Sequence, residues 1–188
     1  MKYRRPLHKE QTLINRALAK WGAFDALKGS VILVGEDVET SHICLVTPEL
    51  EHILADLKPL FSGLIIGDMA KHFQPTIEGA DLFSRLSGGG RNYITVRENA
   101  EKLVLYGRDV MGDSIISASD DLDENELVII TNSAGEAIGL GCTRFAGKLL
   151  KQKERITITT IKDAGRYLRE EDGERQIKAS RSPQRRHS

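Results

Sequence analysis

The sequence predicts an α+β fold in two parts: a mixed sheet with packed helices over residues 1–98, then a small β-barrel over residues 99–172, with a basic tail at 173–188. Three observations carry this prediction. Up to Val96, apolar runs of helical period alternate with short β-branched runs, the pattern of helices packed on a sheet. Beyond Asn99, short strands follow one another at close spacing with glycine turns between them, the pattern of a small barrel of roughly 70 residues. Charge is also segregated. Residues 1–98 carry twelve bases and twelve acids, Asp109 to Glu126 seven acids and no base, and Arg144 to Arg169 eight bases against two acids.

In the first part, Glu10 to Leu27 places Leu13, Ile14, Ala17, Leu18, Trp21, Phe24 and Leu27 at helical spacing, with Thr12 as the expected cap and Gly22 weakening the end. Trp21, the only tryptophan, is expected in the core. Ser30–Val34 and Ser41–Val46 read as a hairpin around Gly35, Glu36 and Asp37. Thr47-Pro48-Glu49 is a helix entrance, with a hydroxyl acceptor at the cap, proline where no N–H is needed and acids facing the positive dipole end; the helix is expected to reach Leu57. Ser62–Ile66 and Phe73–Ile77 read as short strands, the second broken by Pro75, and Gly79–Leu86 as a helix. Ser87-Gly88-Gly89-Gly90-Arg91-Asn92 lacks the lysine, hydroxyl and following helix of a phosphate loop, so it reads as a connection into the strand Tyr93–Val96.

In the second part, AEKLVL at 100–105 runs to a stop at Tyr106-Gly107, Val110–Ile116 holds further turn signals, and the acidic loop Ser117–Glu126 follows. Leu127–Thr131, the turn Asn132–Gly135 and Ala137–Phe145 form a hairpin carrying Gly139 and Gly141 on one face. Those glycines either let a ligand's backbone approach or face a crowded barrel interior, and the sequence leaves both open. Phe145–Lys153 reads as a loop or short helical turn, Ile156–Ile161 as the clearest strand and Asp163–Arg169 as a closing helix or strand. Gly173–Ser188 holds five bases, one acid and only Ile177 as a large apolar side chain, too little burial to offset its ordering entropy.

Composition is that of an ordinary globular protein, 40% hydrophobic and 29% charged, with a net charge of zero that argues against a uniform polyanion binder. No apolar run approaches the ~18 residues of a membrane span, and MKYRRPLHKE has no apolar signal core behind it, so an intracellular protein is expected. Cys44 and Cys142 stand alone and are expected to be buried small hydrophobes. His42 and Cys44 lie two apart on one strand, but a catalytic pair or metal site needs a third group that the sequence does not identify. The acids of Asp120–Glu126 lack the spacing of a calcium loop and read as a solvated turn or a patch for a basic partner. The lysines and arginine at 148, 151, 153 and 155 form the densest cationic cluster, suited to phosphates without any base code; nearby aromatics are scarce, only Phe145 and Tyr167, so shape and backbone recognition is expected over base stacking.

The second part resembles a PUA domain, the pseudo-barrel of RNA-modifying enzymes and ribosome-assembly factors, through VRENAEKLVLYGRDVMGDSI at 96–115 and VIITNSAGEAIGLG at 128–141. Residues 3–171 together resemble the Nip-seven family, ribosome-biogenesis factors of archaea and eukaryotes with an α/β pre-PUA domain in front of the PUA domain. Leu105-Tyr106-Gly107, Gly139-Leu140-Gly141 and a closing helix like Ala164–Glu171 recur there in this order. The resemblance implies a non-enzymatic RNA-binding factor of large-subunit biogenesis and pre-rRNA processing, with pre-rRNA or rRNA and other assembly proteins as partners, the latter through the N-terminal domain. A monomer without cofactor, metal or membrane contact is expected, cytoplasmic if archaeal, which the compact length favours, and nucleolar if eukaryotic. The family's RNA contacts near the last strands carry over to Arg144, Lys148, Lys151, Lys153 and Arg155, with Arg166 and Arg169 at the margin. Two alternatives stand beside this reading: a protein-interaction adaptor, and an RNA-modification enzyme or accessory subunit with a centre in residues 1–98.

Overall fold

The computed structural model describes residues 1–36, 40–57, 59–166 and 169. The tail expected at 173–188 and half of the closing helix expected at 164–171 lie outside the described residues. The first part is an antiparallel meander of β1 (Lys2–Arg4), β2 (Val31–Glu36), β3 (Ser41–Val46), β4 (Leu64–Met69) and β5 (Phe73–Pro75), paired in sequence order. Helix α1 (His8–Lys20), the short α2 (Phe24–Leu27) and α4 (Ile77–Ser87) cover one face; α3 (Pro48–Leu57) covers the other. This explains why β2 reads VILVG without polar alternation. Ile32 and Val34 join the α1/α4 core, while Val31 and Leu33 pack with Cys44, Val46 and Leu54 on the α3 side. Burial there pushes the Cys44 thiol up to about 11.

Helix ends follow local chemistry. The helix at Pro48 begins where Thr47-Pro48 predicts, with Thr47 Oγ1 accepting from the Leu50 N–H at 3.3 Å. The expected Thr12 cap is corrected: Thr12 lies inside α1, donating to the His8 carbonyl at 2.9 Å, and Glu10 reaches back to accept from the Leu7 N–H at 2.7 Å. The first helix is also shorter than its apolar period, because Gly22 takes φ +69° and breaks the run between α1 and α2.

The second part is a six-stranded sheet in the order β7-β11-β10-β9-β6-β8. Its strands are β6 (Tyr93–Val96), β7 (Val110–Met111), β8 (Ile115–Ser117), β9 (Leu127–Thr131), β10 (Ala137–Thr143) and β11 (Ile156–Asp163), with α5 (Glu98–Leu105) packed on it. All neighbours are antiparallel except β6 and β9. The two edge strands, β7 and β8, are joined by the single 3₁₀ turn Gly112–Ser114, so the sheet curls into a nearly closed pseudo-barrel. Strand β6 lies before the 98/99 division expected from the sequence, yet it hydrogen-bonds wholly within this sheet. A four-residue apolar run carries no signal of which strand it will pair with.

Gly139 and Gly141 face the barrel interior. A methyl group on Gly139 would meet Val104 at 3.1 Å, and one on Gly141 would meet Ile158 at 2.4 Å and Ile130 at 3.1 Å. They let β10 lie close under α5 and against β11, and offer no surface to a ligand.

Helix α4 lies between the two sheets. Thr76 caps it, accepting from the Gly79 N–H at 3.0 Å while donating to Ile65 O at 2.6 Å. Its Ala80 and Phe83 share one core with Trp21, Ile66 and Phe73 of the first part and Ile129, Ala137 and Leu140 of the second. Ser84 Oγ donates to Gly135 O at 2.6 Å in the β9–β10 turn, and Tyr93 Oη donates to Trp21 O at 2.8 Å.

Candidate nucleic-acid interface

The connection from β10 to β11 carries five of the seven basic residues singled out in the sequence, and its shape follows from what it must bury. Leu150 is fully buried in the barrel core. In the 3₁₀ turn Gly147–Leu149 and the residues after it, an inward Leu150 leaves Lys148 and Lys151 outside, and Lys153 and Arg155 are exposed as well. Two glycines staple the loop. A methyl group at Gly147 would lie 2.1 Å from Ser119 O, and one at Gly112 2.1 Å from Gln152 O. Gly147 N–H donates to Leu122 O at 2.8 Å and Gly112 N–H to Arg155 O at 2.9 Å. The cations therefore project from a fixed backbone.

Lys148, Lys151 and Lys153 make no ion pair with the described residues. Arg155 lies over the Phe145 ring, 5.4 Å from its centroid, and donates to Gln152 Oε1 at 3.0 Å. Arg144 stands midway along β11, donating to Thr159 Oγ1 at 2.7 Å and paired with Asp109 at 2.8 Å. The two marginal residues sit at the other end of the strand. Arg169 clasps the buried Asp163 with two bonds of 2.9 Å and also donates to Leu105 O. Arg166 lines a cleft of about 440 Å³ with His42, Asp68, Thr76 and Lys162.

In that cleft His42 has its partner in another strand. Its ring nitrogen Nδ1 meets Asp68 at 2.8 Å, and Lys162 reaches the same carboxylate at 3.5 Å. Cys44 makes no side-chain partnership with His42; its thiol is buried and points to the His42 carbonyl at 3.8 Å. No group of three metal-ligating side chains occurs among the described residues.

The acidic loop is solvated, with Asp120, Asp121, Asp123 and Glu124 exposed, and it is also anchored from within the protein. Arg91, from the glycine-rich connection, pairs with Glu126 at 2.6 Å, Asp121 at 3.1 Å and Asp123 at 3.5 Å, and Lys20 of α1 reaches Glu126 at 3.2 Å. The segregation of sign along the sequence is thus partly cancelled in space: Arg91 and Lys20 meet three acids of the loop and Arg144 meets Asp109, while Lys148, Lys151 and Lys153 stay unmatched among the described residues. Burial opposes ionisation of Glu126, but Arg91, Asn92, the Asp123 N–H and Lys20 together hold its carboxyl at about 2. A carboxylate depressed below its ordinary 4.5 stabilises the fold above that value and loses the contribution as pH falls toward about 2. Glu126→Gln is therefore expected to cost about 1–2 kcal/mol at neutral pH, allowing for solvent screening. The gap between variant and wild type in urea unfolding closes as the pH is lowered; a gap that stays constant down to pH about 2 contradicts this role.

The sequence alone missed two residues that shape this loop: Gly112 and Gly147, whose only signal was a glycine in a turn.

Comparison with known proteins fits this architecture. Residues 3–77 match the NIP7/UPF0113 pre-PUA domain and residues 92–172 the UPF0113 PUA domain. A UPF0113 protein of Archaeoglobus fulgidus is 32% identical over 171 residues, spanning 90% of this chain and 95% of that protein. Solved structures of a conserved PUA domain protein from Thermoplasma acidophilum and of a protein from Pyrococcus horikoshii share the fold, each with a TM-score of 0.66, at 18% and 19% identity. They cover 89% and 90% of this chain, and 97% and 98% of their own. The chain thus belongs to the UPF0113 family, with a NIP7-type pre-PUA domain ahead of a PUA domain.

Proposed function

We propose that the protein is a non-catalytic RNA-binding factor of large ribosomal subunit biogenesis, holding pre-rRNA or rRNA through its PUA domain. The observation that carries this reading is a difference in neutralisation: Asp121, Asp123 and Glu126 of the acidic loop are paired with Arg91 and Lys20, while Lys148, Lys151 and Lys153 stand exposed with no ion pair among the described residues. Fixed cations with no internal partner attract phosphates and release counterions on binding. Arg155 and Arg144 extend the same face, with Arg166 and Arg169 at its far end. Contact with other assembly proteins would use the N-terminal domain, where Leu57, Leu60 and Phe61 stand exposed after α3.

The test is RNA affinity as a function of salt. With Lys148, Lys151, Lys153 and Arg155 all changed to glutamine, affinity is expected to fall roughly ten-fold or more, and the slope of log K against log salt to shrink by up to about 0.7 for each phosphate no longer neutralised. Unchanged affinity and slope would remove the reading.

A further inference from the structure

We infer that the exposed face of α1 is a second RNA surface, which takes the phosphate backbone of duplex RNA on the pre-PUA domain, apart from the lysine loop; the inference rests on the RNA-binding reading above. His8, Lys9, Thr12, Arg16, Ala19 and Lys20 are the exposed residues of α1, and none of them is acidic. Lys9, Arg16 and Lys20 follow one another at seven and four positions, so they stand in one row along the helix. At 1.5 Å per residue the row is about 16 Å long.

The helix contains one acid, and that acid is engaged. Glu10 holds Arg4 through bonds of 2.7 and 2.8 Å and accepts from the Leu7 N–H at 2.7 Å. Lys9 and Arg16 are left without an ion pair among the described residues. Lys20 is committed elsewhere, to Glu126 at 3.2 Å and to the Trp21 ring, 5.6 Å from its centroid. The turn before β5 widens the row. His72 lines the same cleft of about 640 Å³ as Arg16 and Lys20, and its neighbour Lys71 is exposed, also without an ion pair among the described residues. The short α2 adds one exposed charge of each sign, Asp25 and Lys28, and leaves the balance positive.

The chemistry of this face selects its occupant. An apolar partner has little to grip, because Ile14, Ala17 and Leu18 of α1 are buried against the sheet. Stacked single strands need exposed rings, and the aromatics beside the row, Trp21 and Phe73, are buried. A straight row of cations without rings suits phosphates that are themselves held in line, and duplex RNA is recognised mostly through its shape and its backbone.

The acidic loop keeps this surface apart from the lysine loop. Asp123 and Glu124 line the α1 cleft from the second half, and Leu122 O of the same loop accepts from the Gly147 N–H at 2.8 Å. A phosphate chain crossing from one cationic surface to the other would pass over exposed carboxylates. The molecule therefore holds two RNA segments, one on each half.

The test uses the full chain with two probes, a blunt RNA duplex of about 16 base pairs and an oligouridine of about 12 nucleotides. Changing Lys9, Arg16 and Lys71 to glutamine is expected to weaken duplex binding roughly ten-fold and to reduce the slope of log K against log salt by up to about 0.9 for each phosphate no longer neutralised, with oligouridine affinity unchanged. Changing Lys148, Lys151 and Lys153 to glutamine is expected to weaken oligouridine more than duplex. The side chains changed on α1 and its neighbouring turn are exposed, so thermal unfolding should keep its wild-type midpoint. Wild-type duplex affinity and slope in the α1 variant overturn the second surface and leave the RNA reading standing, as does a wild-type chain that binds oligouridine but not duplex. Displacement of the duplex by polyglutamate of equal charge at equal concentration overturns RNA as the occupant in favour of an acidic protein. A wild-type chain with no salt-dependent binding to either probe overturns both readings.

Discussion

Phe83→Ala is expected to destabilise the protein by about 3–5 kcal/mol, the cost of emptying a large aromatic site that cannot collapse. Phe83 is fully buried. Its ring stacks on Trp21 with centroids 6.0 Å apart and planes at 9°, and meets Phe73 at 6.4 Å. Aromatic pairs of this kind are worth ~0.5–1.5 kcal/mol beyond their buried area. Trp21 is the only tryptophan, so its emission reports the site directly. Urea unfolding followed by that emission should show a lowered midpoint with the fluorescence of the folded variant shifted to the red. A loss below about 1 kcal/mol would mean that the surrounding side chains close the cavity.

Gly79→Ala is expected to cost about 2–3 kcal/mol although alanine is the better helix former. The added methyl would sit 2.0 Å from Ile66 O and 2.6 Å from its carbonyl carbon, a clash between two backbones that no rotamer relieves. To accommodate it, α4 must lift from β4, and the Thr76 cap and the Phe83 ring lift with it. Gly29 supplies the control, since a methyl there meets nothing within 4 Å. Gly29→Ala should be neutral or slightly stabilising in the same thermal unfolding experiment, and equal losses in both variants would refute the packing explanation.

What is legible in the sequence is local. The Thr47-Pro48 entrance, the end of α3 at Leu57, the strand Tyr93–Val96 and the hairpin flanking Asn132–Gly135 depend on residues within a few positions of one another, and the structure has them at the expected places. The exposed lysine loop is legible for the same reason, since three lysines within six positions have few ways to be buried. Tertiary pairings are not legible. Arg91 reads as the tail of a flexible glycine loop because its partners lie 30 to 35 residues ahead. Gly139 and Gly141 leave two options open because the side chains that fill the space beside them, Val104 and Ile158, come from other elements.

Helix α4 falls between the two matched domain segments, 3–77 and 92–172, and yet it is the piece that both sheets pack against. Each half has a core of its own, but the largest core is shared: one side of each sheet is finished by a helix that the other half also needs. The joint is therefore a shared wall, and a wall does not bend. A substitution in α4 is therefore expected to loosen both sheets together, not one alone.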